Sequence, residues 1–174
     1  MCMEGDSSVK DKLRPGLLAL AIAIPVCVGG IAAMLTGDMM KEYFFLNKPP
    51  LSPPGWMFPV VWTILYVMMG LASYFVVTSG ADRSLIVKTF VFYGIQLVLN
   101  FFWSILFFNQ SLFLWAFIEL VAMWTVIIIT TVLFFRASSL AGAMMIPYVL
   151  WSTFAAYLNF AVYKLSITPM PLPR

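Results

Sequence analysis

Several apolar stretches of this chain carry the same device, an aromatic ring and a polar group one or two helical turns apart. Gln96, Asn100, Trp103 and Phe107 recur at i, i+4, i+7 and i+11, the spacing of one helical face. Trp151, Ala155, Asn159 and Val162, at i, i+4, i+8 and i+11, share a helical face likewise, with a small residue between the ring and the amide. Trp62 with Tyr66, and Trp115 with Glu119, stand at i, i+4. Amides inside hydrocarbon are costly unless paired, so they signal either structure or function. In one reading these faces pack on each other, with Asn100 and Asn159 bonding across helices and tryptophans filling the bundle. In the other they line a cavity whose aromatic walls hold a flat apolar ligand, oriented by a few polar groups. The chain's six tryptophans exceed what an interfacial belt needs, which favours the cavity.

Glu119 is the one ionisable group near the middle of an apolar run, and an intramembrane acid is a candidate functional group by default. It stands without a second carboxylate or any histidine nearby, which makes a poor proton relay. The absence of histidine removes the commonest metal ligand and the usual general base. Cys2 and Cys27 form no framework and no metal set. No metal and no cofactor is therefore expected, and any chemistry must come from the ligand and the indole rings.

The elements that must hold these residues follow from composition. Of the 174 residues 63% are hydrophobic and 10% charged, and the mean hydropathy is +0.98. Soluble domains carry roughly 25% charged residues, so most of this surface has lipid as its solvent. Continuous apolar runs, without ten-residue alternation, call for helices and not barrel strands. The expected fold is an all-α integral membrane bundle of five helices. The spans are read at about 17–35, 56–77, 85–108, 112–135 and 141–165, after a polar tail at 1–16 and before a disordered tail at 166–174. The net charge of +3 is scattered over termini and turns, so nucleic acid is excluded as a partner and the bilayer is the partner implied. Lys10, Lys12, Arg14, Arg83, Lys88 and Arg136 on one side outnumber Lys41, Lys48, Lys164 and Arg174 on the other, a weak bias towards the N-terminus and short turns lying inside.

The long connection, 36–55, stands apart. Gly37-Asp38 is expected to open it, and Lys41–Phe45 to form a short amphipathic turn at the interface. Pro49, Pro50, Pro53, Pro54 and Gly55 then make a stiff, non-helical collar immediately before the second span. A connection this long is a binding loop sooner than a spacer.

Three blocks resemble the translocator protein family, also known as tryptophan-rich sensory proteins or peripheral-type benzodiazepine receptors. They are Lys48-Pro49-Pro50-Leu51-Ser52-Pro53-Pro54-Gly55-Trp56 followed by Trp62–Tyr66 and Gly70; Leu99–Ser104 with Phe107-Phe108; and Pro147–Ser152 with Phe154-Ala155 and Tyr157-Leu158-Asn159. The resemblance implies a five-helix bundle, often a homodimer, with a pocket capped by the first long loop. It implies a receptor or carrier for flat hydrophobic ligands: porphyrins or haem, sterols, and isoquinoline carboxamide or benzodiazepine drugs. The positions that match the family's pocket are Tyr43, Pro53, Trp62, Asn100, Trp103, Trp115, Trp151, Ala155, Leu158 and Asn159. Light-dependent porphyrin degradation, proposed for the family, would fall to Trp62 and Trp151; a secondary transporter is a further alternative. The membrane implied is the mitochondrial outer membrane in a eukaryote and the cell membrane in a bacterium. Two departures stand out. Leu51 occupies a position usually held by tryptophan, and the sterol-recognition pattern at the end of the fifth span is unmet, since Tyr163 abuts Lys164 with no spacer.

Overall fold

The structure, a computed structural model, describes residues 13–43, 49 and 51–167, with backbone only for 38–43. Five helices long and apolar enough to cross a membrane follow one another: α1 (Pro15–Tyr43), α2 (Met57–Thr78), α3 (Arg83–Ser104), α4 (Phe113–Ala137) and α5 (Ser139–Ile167). A π-helical turn, Ile105–Asn109, extends α3. There is no strand among the described residues. Packing links α1 to α2, α2 to α5, α5 to α4, α4 to α3 and α3 back to α1, so the helices close into a ring.

Each helix is apolar all round, and spacing alone decides its inner face. Leu65, Met69, Ala72 and Val76 of α2 meet Tyr93, Leu97 and Trp103 of α3, Leu120, Met123 and Ile127 of α4, and Met145, Tyr148 and Ala155 of α5. These follow the i, i+3, i+4 rhythm of helices buried on one side. The outward positions, among them Ile64, Val98, Val121 and Leu150, are equally apolar and exposed, as a lipid-facing surface requires.

Gly70 and Gly29 set how closely α1 and α2 approach. A β-carbon on Gly70 would lie 2.5 Å from the Cα of Ile22, so α1 and α2 cross backbone to backbone there. One on Gly29 would lie 2.0 Å from the ring of Tyr66.

The connections correct several expected boundaries. Gly37-Asp38 does not open the long loop; α1 runs on to Tyr43. Nothing between 36 and 43 forbids a helix, since an internal glycine costs only about 1 kcal/mol and the next proline is Pro49. The amphipathic turn expected over 41–45 is helix as far as Tyr43; residues 44–48 and Pro50 lie outside the described residues. The polar turn read at 136–140 shrinks to Ser138, extended at φ −159°, whose Oγ accepts from Ala141 N–H at 3.4 Å at the start of α5. At the far end α5 takes in Ser166 and Ile167, residues read as tail; 168–174 and 1–12 lie outside the described residues.

Candidate ligand site

Asn100 and Asn159 do not bond to one another; each accepts from the polar group of an aromatic side chain and donates elsewhere. Asn100, 1% exposed on α3, accepts from the Tyr66 hydroxyl at 2.5 Å and donates through Nδ2 to the Tyr148 hydroxyl at 3.2 Å. One amide thereby ties α2, α3 and α5 together. Asn159 on α5 accepts from the Trp103 indole N–H at 3.1 Å and donates to the Phe113 carbonyl at the head of α4, 2.8 Å away. That carbonyl belongs to the first turn of α4. The two asparagines thus orient rings, and the rings form the walls.

Trp62 is the meeting point of those walls. Its indole stacks on Tyr66 at 5.6 Å, lies 6.3 Å from Trp103, and meets Tyr148 edge to face at 6.1 Å. Trp103 in turn stacks on Phe107 at 5.3 Å. Such arrangements use the ring quadrupole, and each is worth about 0.5–1.5 kcal/mol beyond area burial. The π-helical turn brings Phe107 and Phe108 to the same end as Trp103, and Asn109 Nδ2 donates across to the Leu35 carbonyl of α1 at 3.2 Å.

Beside Trp62 lies a cavity of about 70 Å³, walled by Phe58, Trp62, Tyr66, Trp103 and Phe108 and floored by the small residues Gly29, Ala32 and Ala33 of α1. A second, wholly apolar hollow of about 370 Å³ opens on the lipid-facing side between α2 and α5. Phe58 belongs to the first and Trp151 to the second, and the two rings touch edge to face at 6.0 Å.

The residues singled out from the sequence fall into three groups. Trp62, Asn100, Trp103 and Asn159 come together as described, with Leu158 and Ala155 buried alongside at 3% and 7% exposure. Trp151 is half-buried and packs on Phe58 and Phe154, on the α5 side of the aromatic cluster. Pro53 is half-buried in the segment leading to α2; Tyr43 closes α1, and its side chain is outside the described ones. Trp115 does not join. It is 62% exposed on the outer face of α4, because the buried stripe runs through Ala116, Leu120 and Met123 and the neighbouring position is turned about 100° away. Glu119 is half-buried, and neither carboxylate oxygen has a hydrogen-bond partner among the described residues.

Tyr148 and the α1 floor were not expected to matter here. Tyr148 stands three residues before Trp151, one turn of helix away, and that spacing was the available signal. Gly29 and Ala33 carry no sequence signal beyond that of small residues on an apolar helix.

The collar contains one strained position. Ser52 N–H and Oγ both donate to the Pro49 carbonyl, at 3.2 and 2.8 Å, and Leu51 between them has φ +67°. A left-handed backbone disfavours every residue with a β-carbon. The Leu51 side chain is 79% exposed and touches no part of the aromatic site, and Trp56 is exposed too, as interfacial tryptophans are.

Fold and site together define the class: a five-span integral membrane protein whose interior is walled by tryptophan and tyrosine around amide ties. The pattern of the TspO/MBR family matches residues 21–165. The chain is 37% identical to the tryptophan-rich protein TspO of Chlorobaculum tepidum, over 86% of this chain and 95% of the relative. It is 32% identical to protein CrtK of Rhodobacter capsulatus over 90% and 96%, and 32% identical to the translocator protein of Sus scrofa over 86% and 90%. This chain belongs to the TspO/MBR family. That membership supports a receptor or sensory role in the membrane.

Proposed function

We propose that the protein is a membrane receptor for a flat hydrophobic molecule, with a porphyrin as the first ligand to test, seated between α1, α2 and α3. The observation that carries this is Trp62, which sits among Tyr66, Trp103 and Tyr148 and faces a cavity floored by glycine and alanine. Stacked aromatic walls opposite a floor without bulky side chains make a slot, and a slot suits a planar ring system. Because Asn100 and Asn159 are engaged with their own neighbours, recognition falls mainly to ring stacking and shape. The cavity of about 70 Å³ is smaller than a ligand-sized pocket of roughly 300–1,000 Å³, so occupation requires Trp62 or Phe58 to shift. A relative from Cereibacter sphaeroides, 35% identical, carries the name tryptophan-rich sensory protein.

The test is equilibrium quenching of tryptophan fluorescence by protoporphyrin, with the protein in lipid nanodiscs. Ala33→Phe fills the slot from α1 and is expected to weaken binding at least tenfold. Val98→Phe, on the lipid-facing side of α3, is expected to leave it unchanged. Equal affinity in wild type and Ala33→Phe would remove the slot as the site. Native mass spectrometry of the same samples reads the homodimer that belongs to this proposal.

A further inference from the structure

The hollow between α2 and α5 has no role in the seat described above, yet its inner wall is the outer wall of that seat. Val61, Ile64 and Met68 of α2 face Leu150, Trp151 and Phe154 of α5 across it. Its volume of about 370 Å³ lies within the range of roughly 300–1,000 Å³ that small-molecule sites occupy. Ile64 and Leu150 are 53% and 65% exposed, so the hollow is continuous with the surface that meets the acyl chains.

Three features single out this wall. Phe58 lines the inner cavity and touches Trp151, which lines the hollow, so that pair of rings stands between the two spaces. Next, the Trp151 indole lacks the hydrogen bond that tethers Trp103 and Trp124. Trp103 donates its N–H to Asn159 and Trp124 donates to Thr153, whereas the buried N–H of Trp151 has no partner among the described residues. Packing alone keeps the Trp151 ring in place, and rotating it breaks no hydrogen bond. Finally, Pro147 stands one turn before Trp151 on the same rim, where its missing N–H leaves α5 short of a backbone bond and easier to bend.

We propose that the α2–α5 hollow is a lateral portal through which the flat hydrophobic ligand passes between the bilayer and the seat beside Trp62, with Trp151 as the swinging element. The inference rests on the function proposed above and adds the route to it. A molecule of this chemistry partitions into the membrane first, and the hollow offers it an apolar surface from the acyl-chain side up to the Phe58–Trp151 pair. The ligand then waits in the hollow until Trp151 turns. A portal acts on entry and exit alike, and leaves the equilibrium unchanged.

The test uses stopped-flow protoporphyrin quenching in nanodiscs, with the equilibrium constant measured on the same preparations. Ile64→Phe with Leu150→Phe narrows the hollow from the lipid side without reaching the inner cavity; Leu150→Phe alone is the milder variant should the pair fold poorly. Association and dissociation rates are expected to fall together, at least tenfold in the double variant and several-fold in the single one, with Kd within twofold of wild type. Rates that stay at the wild-type values in both variants overturn the portal. A tenfold or greater loss of equilibrium affinity also overturns it, because the hollow would then be the resting site. Absence of saturable quenching in the wild-type protein overturns the receptor reading itself and the portal with it, an outcome distinct from unchanged rates.

Discussion

Adjacent glycines in α1 offer a test of whether Tyr66 is held where the structure puts it. A β-carbon on Gly29 would stand 2.0 Å from Cε2 of Tyr66 and 2.5 Å from Cζ, whereas one on Gly30 meets nothing within 4 Å. Carbon atoms sit comfortably at about 3.5–4.0 Å, so Gly29→Ala drives the tyrosine ring aside by roughly 1.5 Å. That ring is 8% exposed and its hydroxyl is bonded to Asn100, so a shift into the small cavity it lines strains that bond. Overpacking costs about 1–3 kcal/mol. A lost interhelical hydrogen bond adds about 0.6 and at most roughly 1.7 kcal/mol, while replacing glycine by alanine inside a helix returns about 0.8–1.0 kcal/mol. The net expectation for Gly29→Ala is a destabilisation of about 1–4 kcal/mol, and for Gly30→Ala a change between zero and a gain of about 1 kcal/mol. Unfolding by SDS titration in mixed micelles, followed by circular dichroism, measures both. In a Tyr66→Ala background the Gly29→Ala penalty should vanish, since the clash has lost its partner. Equal stability of the two glycine variants, or a penalty that persists without the Tyr66 ring, would refute the reasoning.

Two further contrasts follow from the same geometry. Gln96 is fully buried, with Nε2 3.7 Å from the Met69 sulfur and Oε1 without a partner, so Gln96→Leu should stabilise by about 1 kcal/mol by removing an unsatisfied acceptor. Asn100→Leu, one turn along the same face, should destabilise by about 1–3 kcal/mol because it strands the Tyr66 and Tyr148 hydroxyls; the same SDS titration checks the opposite signs. Leu51→Gly relieves a left-handed backbone worth about 1–2 kcal/mol while adding some unfolded-chain entropy. It should slow hydrogen exchange of the Ser52 amide, measured by mass spectrometry in detergent.

The five spans were legible because hydropathy reads them directly, and only their ends moved. The first end moved most: Gly37-Asp38 looks like a break, yet an internal glycine costs a helix only about 1 kcal/mol, no proline stands between Gly37 and Tyr43, and α1 runs on. Within the site, the i, i+4, i+7 spacing of Asn100 and Trp103 correctly placed both on one inner face. Trp115 shows where spacing fails. Its helix is apolar on every side, so the pair Trp115 and Glu119 carries no information about which side faces in. Nor could spacing name the partners of the amides. Those depend on how α2 and α5 are turned towards α3, a tertiary fact that brought in Tyr148 and the floor of α1.

The amide ties carry a consequence for how the helices choose their rotation. In water an amphipathic helix is told which way to turn by the solvent, which rejects its apolar stripe. Lipid makes no such distinction between Met69 and Ile64, or between Leu97 and Val98, since all are equally welcome on either side. What differs between the faces of α3 is that Asn100 finds a partner only when turned inward. The asparagines therefore act as registration pins. Each adds little binding energy, but together they make every rotated arrangement of the bundle expose an unpaired amide to hydrocarbon. A chain stripped of Asn100 and Asn159 would keep its five spans and lose the single way of assembling them.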